Sequence, residues 1–139
     1  MTFNKALTAA LAALAMPVLA SAGPLSLTVE NIANETGTLK IGVYDEAGYK
    51  GGPALNGANV KVDAAAETVT IEGLVPGEYG IKVFHDVDDD GEMDTNPFGL
   101  PTEPYAFSNN AKGRFGPAKW DAAKFTVTED GATQTIALN

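Results

Sequence analysis

Apolar residues recur at every second position in seven short runs of this chain: Leu25, Leu27 and Val29; Leu39, Ile41 and Val43; Val60 and Val62; Val69 and Ile71; Tyr79, Ile81 and Val83; Phe125 and Val127; Ile136 and Leu138. Successive side chains of an extended strand point to opposite faces, so this period buries one face and leaves the other to water. On a helix the same residues would be spread around the circumference. The positions between them include Ser26, Thr28, Glu30, Lys40, Thr68, Thr70, Lys82, Thr126 and Thr128, the polar complement expected of a sheet wetted on one side. Seven such strands predict an all-β fold, an antiparallel sandwich of two sheets. Asn34-Glu35-Thr36-Gly37 and Glu129-Asp130-Gly131 carry turn chemistry and read as two hairpins, while Asp45 to Asn59, rich in glycine, reads as a long loop.

The N-terminus has a different character. Lys5 precedes an apolar run from Ala6 to Leu19 that closes on Ala20-Ser21-Ala22. A positive charge, a short apolar stretch and small residues two apart are the three parts of an export signal, in order. The expectation is a signal peptide over 1–22 and a single sandwich domain over 23–139, located in the periplasm or secreted. The apolar run is short for a membrane span, and no later stretch predicts insertion once the leader is removed.

The sequence contains no cysteine, which excludes disulfides, thiol catalysis and sulfur-bound zinc. Its formal net charge of −9 makes nucleic acid and anionic membranes unsuitable partners, since both require the opposite sign. Such a surface attracts cations instead.

That attraction has a focus. From His85 the chain reads His-Asp-Val-Asp-Asp-Asp-Gly-Glu-Met-Asp, which puts carboxylates on alternate residues Asp86, Asp88 and Asp90, then Gly91, then Asp94. Oxygens at loop positions 1, 3 and 5 followed by a glycine at 6 form the spacing of a calcium loop, with Asp94 at position 9. Position 12 is Pro97 rather than a bidentate glutamate, so only the first part of that motif is present. Asp86, Asp88, Asp90 and Asp94 are therefore the candidate Ca²⁺ ligands. Further oxygens are available from the Glu92 carbonyl, Asn96 or Glu103. The metal-free alternative is an acidic turn whose side chains cap their own backbone.

Between Thr95 and Ala123 there is no sustained periodicity, yet Phe98, Leu100, Tyr105, Phe107, Phe115 and Trp120 give the segment apolar content. It is expected to fold back on the sandwich, with Trp120 to Ala123 closing it in one helical turn. Tyr105, Phe107, Phe115 and Trp120 read either as anchors over the core or as a platform for a sugar ring or a partner peptide, with Lys112 and Arg114 alongside. Ser108-Asn109-Asn110 reads as a set of turn hydrogen bonds. His85, the only histidine, shares a strand face with Ile81 and Val83 and reads as a core-edge residue bonded to loop backbone.

Leu74-Val75-Pro76-Gly77-Glu78-Tyr79 resembles the start of a strand in transthyretin-like and carboxypeptidase-regulatory-like sandwiches. Further motifs follow in order: Val83-Phe84-His85-Asp86, Asp90-Gly91-Glu92-Met93-Asp94, Phe98 to Glu103, Tyr105 to Asn110, and Gly116-Pro117. The set resembles the secreted bacterial family catalogued as domain of unknown function 2141. That resemblance implies a transthyretin-like β-sandwich outside the cytoplasm and brings no established activity with it.

Three functional readings are carried forward. The first is a non-enzymatic exported sandwich whose weak structural calcium site orders the 95–123 loop, which offers a surface to an envelope protein or a glycan. The second is a small hydrolase in which His85 and acidic residues such as Glu103 converge around the same loop. The third is a purely structural envelope domain without metal.

Overall fold

The computed structural model describes residues 12–17 and 21–139, so the expected signal peptide over 1–22 lies mostly outside the described residues. Eight strands form among them: β1 (Leu25–Glu30), β2 (Thr38–Tyr44), β3 (Asn56–Lys61), β4 (Glu67–Ile71), β5 (Gly77–Asp86), β6 (Tyr105–Phe107), β7 (Phe125–Val127) and β8 (Ala132–Ala137). Two single-turn helices join them, α1 (Glu46–Tyr49) and α2 (Trp120–Ala123). No helix among the described residues is long and apolar enough to cross a membrane.

The strands make a β-sandwich. One sheet has the order β4-β1-β8, and the other runs β3-β2-β5-β6 with β7 also paired to β5. Leu25, Leu27, Val29, Ile71 and Ile136 of the first sheet are buried in one cluster with Leu39, Ile41, Val43, Ile81, Val83 and Val127 of the second. Burying a side chain of this size contributes about 1.5–3 kcal/mol. A register slip of one residue would turn each strand's whole apolar set to water, so the alternation in the sequence fixes the pairing.

Four local expectations are corrected. The turn at 34–37 does not close a hairpin, and that at 129–131 closes only the single antiparallel bridge of Thr128 with Gly131: β1 and β2 lie in different sheets, as do β7 and β8. Turn chemistry reverses the chain but does not specify whether the next strand joins the same ladder or the facing sheet. Because β8 crosses over, it pairs parallel to β1, an exception to an all-antiparallel arrangement. The supposed loop from Asp45 to Asn59 contains α1 and most of β3, whose Gly57 lies opposite Gly42 and so carries no side chain to reveal the period. The 95–123 segment contributes β6, which accounts for an eighth strand.

One hydroxyl knits that segment to the sheet. The same edge of β5 pairs with β7 up to Tyr79 and with β6 from Lys82, which leaves Ile81 between the two partners. Ser108, fully buried, accepts the Ile81 N–H at 2.9 Å and donates to the Ala123 carbonyl at 2.5 Å. Its side chain thus stands in for a missing strand and ties β5 to the end of α2. Asn109 and Asn110, both at positive φ, extend the joint to β8 through Gln134, Thr135 and Ala137. Asparagine tolerates that backbone region better than most residues.

Candidate metal centre and aromatic cleft

The acidic loop begins where β5 leaves the sheet. Strand alternation sends His85 and Asp86 to opposite faces, and both are fully buried. His85 follows Val83 into the interior, where its Nε2 lies 2.6 Å from the Thr36 carbonyl oxygen. Asp86 turns toward the loop and accepts the backbone N–H of Asp90 at 3.2 Å and of Gly91 at 2.9 Å, one on each oxygen. Asp88 accepts the Asp90 N–H, and Asp90 accepts the Glu92 N–H. The curl needs positive φ at Asp89 and Gly91, and Gly91, with φ of 86°, has open space where a Cβ would stand.

Two carboxylate trios result. Asp86, Asp88 and Glu103 each offer an oxygen within 4.8 Å of the others, and so do Asp88, Asp90 and Asp94. Asp88 belongs to both. All four aspartates read from the spacing take part, joined by Glu103. Glu103 is buried and bidentate toward the backbone: one oxygen accepts the Val87 N–H at 2.9 Å and the other the Asp94 N–H at 3.1 Å. It closes the loop from the far side of a small reversal, 94–102, held by Thr102 N–H to the Asp94 carbonyl and Asn96 N–H to the Leu100 carbonyl. Asn96 spends its own side-chain oxygen on the N–H groups of Phe98 and Leu100, shaping that reversal.

Electrostatics follow from the crowding. The Asp88 carboxyl is pushed above its ordinary range by partial desolvation, with the charges of Asp90 and Glu103 adding to it. Asp94 is pushed the same way by desolvation and then by Asp88, Asp90 and Glu103. Asp89 goes in the opposite direction, because its carboxylate is held by Lys61 and by the Thr38 hydroxyl, and so stands apart from the trios. Hard oxygen donors of this kind suit Ca²⁺, or Mg²⁺ with retained waters, and lack the nitrogen or sulfur that zinc prefers.

The aromatic residues separate into two groups. Trp120 and Phe107 are only 6% and 7% exposed, and they pack with Tyr49, whose ring lies 5.5 Å from that of Trp120. Trp120 therefore anchors the end of the long segment, and the little of it left exposed borders a separate gap beside Lys50 and Lys119, apart from Phe115 and Tyr105, which corrects the platform reading for this residue. Phe115 is fully exposed at a φ of 57°. Together with Tyr105 and one side of Phe107 it borders a cavity of about 700 Å³ over the outer face of the five-stranded sheet. Lys112 bonds the Asn139 side chain, away from this cavity's lining. Sequence reading missed the cavity floor, where Lys40, Tyr44, Lys82 and Phe84 come from two strands; only the register of β2 with β5 brings them together.

A family model described as an uncharacterized protein conserved in bacteria matches residues 27–136. No curated protein and no solved structure matches the chain.

Proposed function

Because the chain belongs to the uncharacterised bacterial family DUF2141, whose match over residues 27–136 spans nearly all of the sandwich, its role must be argued from its site, and we propose an exported, non-enzymatic binding domain organised by Ca²⁺. The observation that carries this is the pair of carboxylate trios sharing Asp88. Five acidic groups divide between these two trios, and the basic neighbour Lys61 is engaged by Asp89 instead. A dication would neutralise the mutual repulsion and tie the end of β5, through Asp86, to the 94–103 reversal, through Asp94 and Glu103. The reversal and the segment after it would then form a surface for an envelope partner, a protein or a glycan. The export leader read over 1–22 supports a periplasmic or secreted location.

Thermal melting in calcium and in excess chelator tests the metal. Without a bidentate glutamate the affinity expected is on the order of 10⁻⁴ to 10⁻³ M. At about 10 mM Ca²⁺ that gives roughly 1.4–2.7 kcal/mol by linkage, an upward shift of about 5–10 °C in Tm. Identical midpoints, with no calorimetric binding at millimolar calcium, reject the cation.

The metal-free structural reading keeps one specific support. Backbone N–H groups of Asp90, Gly91 and Glu92 already occupy oxygens of Asp86, Asp88 and Asp90. It predicts the identical midpoints. The hydrolase reading required His85 beside Glu103, whereas His85 is buried on the opposite face of β5 and bonded to Thr36. A base enclosed in that way has no route to a substrate at the acidic loop.

A further inference from the structure

The two outer faces of this sandwich are unlike each other. On the three-stranded sheet the residues alternating with the core are Ser26, Thr28, Thr68, Thr70, Thr133 and Thr135, which is ordinary chemistry for a solvated sheet. On the five-stranded sheet the register gives one row of Asn59, Lys40, Phe84 and Tyr105, and beside it a row of Gly57, Gly42, Lys82 and Phe107. Aromatic rings and two cations therefore stand where threonines stand on the other side. The glycines of the second row leave a hollow in which the Tyr44 ring lies over Gly42.

Loop segments stand over this floor without filling it. Met93, Leu100 and Pro101 come from the reversal beside the acidic loop, and Phe115 and Pro117 from the stretch before α2. The gap they border, about 700 Å³, falls within the range that holds a small organic ligand. Leu100 is 58% exposed and Phe115 entirely so, which gives the rim apolar edges.

The charge in the cleft is opposite to that of the molecule. The formal net charge is −9, yet the charged side chains bordering the cavity are Lys40 and Lys82; neither forms an ion pair among the described residues, although Asp89 lies near enough to Lys40 to feel its charge. Lys82 donates one N–H to the Tyr49 carbonyl at 2.7 Å and lies over the rings of Tyr44 and Tyr49, at 4.9 and 4.6 Å from their centroids. An ammonium has three N–H donors, so two remain for an incoming anion. Partial burial lowers the Lys82 pKa, as expected for a cation held against an apolar floor.

We propose that this cleft binds a small amphiphilic anion, an aromatic or aliphatic body bearing one carboxylate or sulfonate, with the acid on Lys82 and Lys40 and the body against Phe84, Tyr105 and Phe107. This names a ligand class for the loop surface proposed above and rests on that reading only in using the same segment. It does not require the cation.

Two fluorescent probes that differ by a single anionic group test it on the full domain: anilinonaphthalene sulfonate and its uncharged parent, N-phenylnaphthylamine. The wild-type protein is expected to bind the sulfonate saturably at one site, with its near-ultraviolet circular dichroism native throughout. Lys82→Met and Lys40→Met should each weaken the sulfonate several-fold, and the double variant at least tenfold, while binding of the uncharged probe changes less than about twofold. Phe115→Ser alters a fully exposed residue, so its fold is not at risk, and it should weaken both probes. Non-saturating binding, binding that accompanies loss of the native spectrum, or sulfonate affinity unchanged in the double lysine variant would overturn the proposal. Repeating the titration in calcium and in chelator separates the two readings: cation failure appears as identical melting, cleft failure as loss of the charge-dependent difference between probes.

Discussion

Replacing Ser108 with alanine removes a single oxygen atom and should have an effect out of proportion to its size. The hydroxyl is fully buried and serves two backbone groups, the Ile81 N–H at 2.9 Å and the Ala123 carbonyl at 2.5 Å. Neither has a strand partner to fall back on, because β7 ends its pairing with β5 at Tyr79 and β6 begins at Lys82. Stranding a buried donor or acceptor costs about 1–3 kcal/mol, so the pair amounts to roughly 2–6 kcal/mol. Domains of this size are stable by about 5–15 kcal/mol in total. With a urea m-value of about 1–3 kcal/mol/M, the unfolding midpoint of Ser108→Ala should fall by about 0.7 M or more at unchanged m. Urea unfolding followed by fluorescence and far-ultraviolet circular dichroism measures this directly. A midpoint shift below about 0.3 M would show that the two groups find other partners, and the view of Ser108 as a substitute strand would be wrong.

Two further outcomes are expected. Tyr49 donates its hydroxyl to the Ala118 carbonyl at 2.9 Å, and burial pushes its pKa up to about 12. An unfolded tyrosine ionises near about 10, so the contribution of the neutral phenol is complete below that pH and is lost as pH climbs toward the folded value. Denaturant titrations at a series of alkaline pH values should show that extra loss in the wild type and not in Tyr49→Phe; parallel curves would count against it. Gly37→Ala should damage the acidic loop from outside, since Gly37 sits at a φ of 75° and a Cβ there would collide with the Asp86 carbonyl oxygen. Strained φ and clash together predict a loss of at least about 1–2 kcal/mol, with weaker calcium binding by calorimetry. A variant with wild-type melting and calcium response would show that the loop start is free to move.

Strand positions and the facing core were legible in the sequence wherever a residue's role depends on its immediate neighbours. The alternation through Leu25 to Val29 or Tyr79 to Val83 declares one buried face without reference to anything distant, and those residues are buried. The acidic spacing from Asp86 to Asp94 is equally local, since one curl of backbone carries each of the four aspartates into one or other of two trios that share Asp88. Glu103 enters the same site from nine residues beyond Asp94, across a reversal that no period announces, and only its backbone partners, Val87 and Asp94, fix it there.

Other properties exist only between strands. Whether a Gly-containing turn makes a hairpin or passes to the opposite sheet is decided by where β8 finds an open edge, beside β1. The aromatic cleft depends on register: Phe84 meets Lys40 and Tyr105, and Lys82 meets Gly42 and Phe107, only through ladder pairing. Period two states which side of a strand is wet or dry, and by itself it left Lys40 and Lys82 as ordinary solvated lysines. Chain neighbours govern backbone conformation and the burial of alternate side chains, so the sequence alone determined most of the strands and the acidic curl. Hydrogen bonding between distant strands governs which side chains share a surface, so only the tertiary structure decided the company those lysines keep.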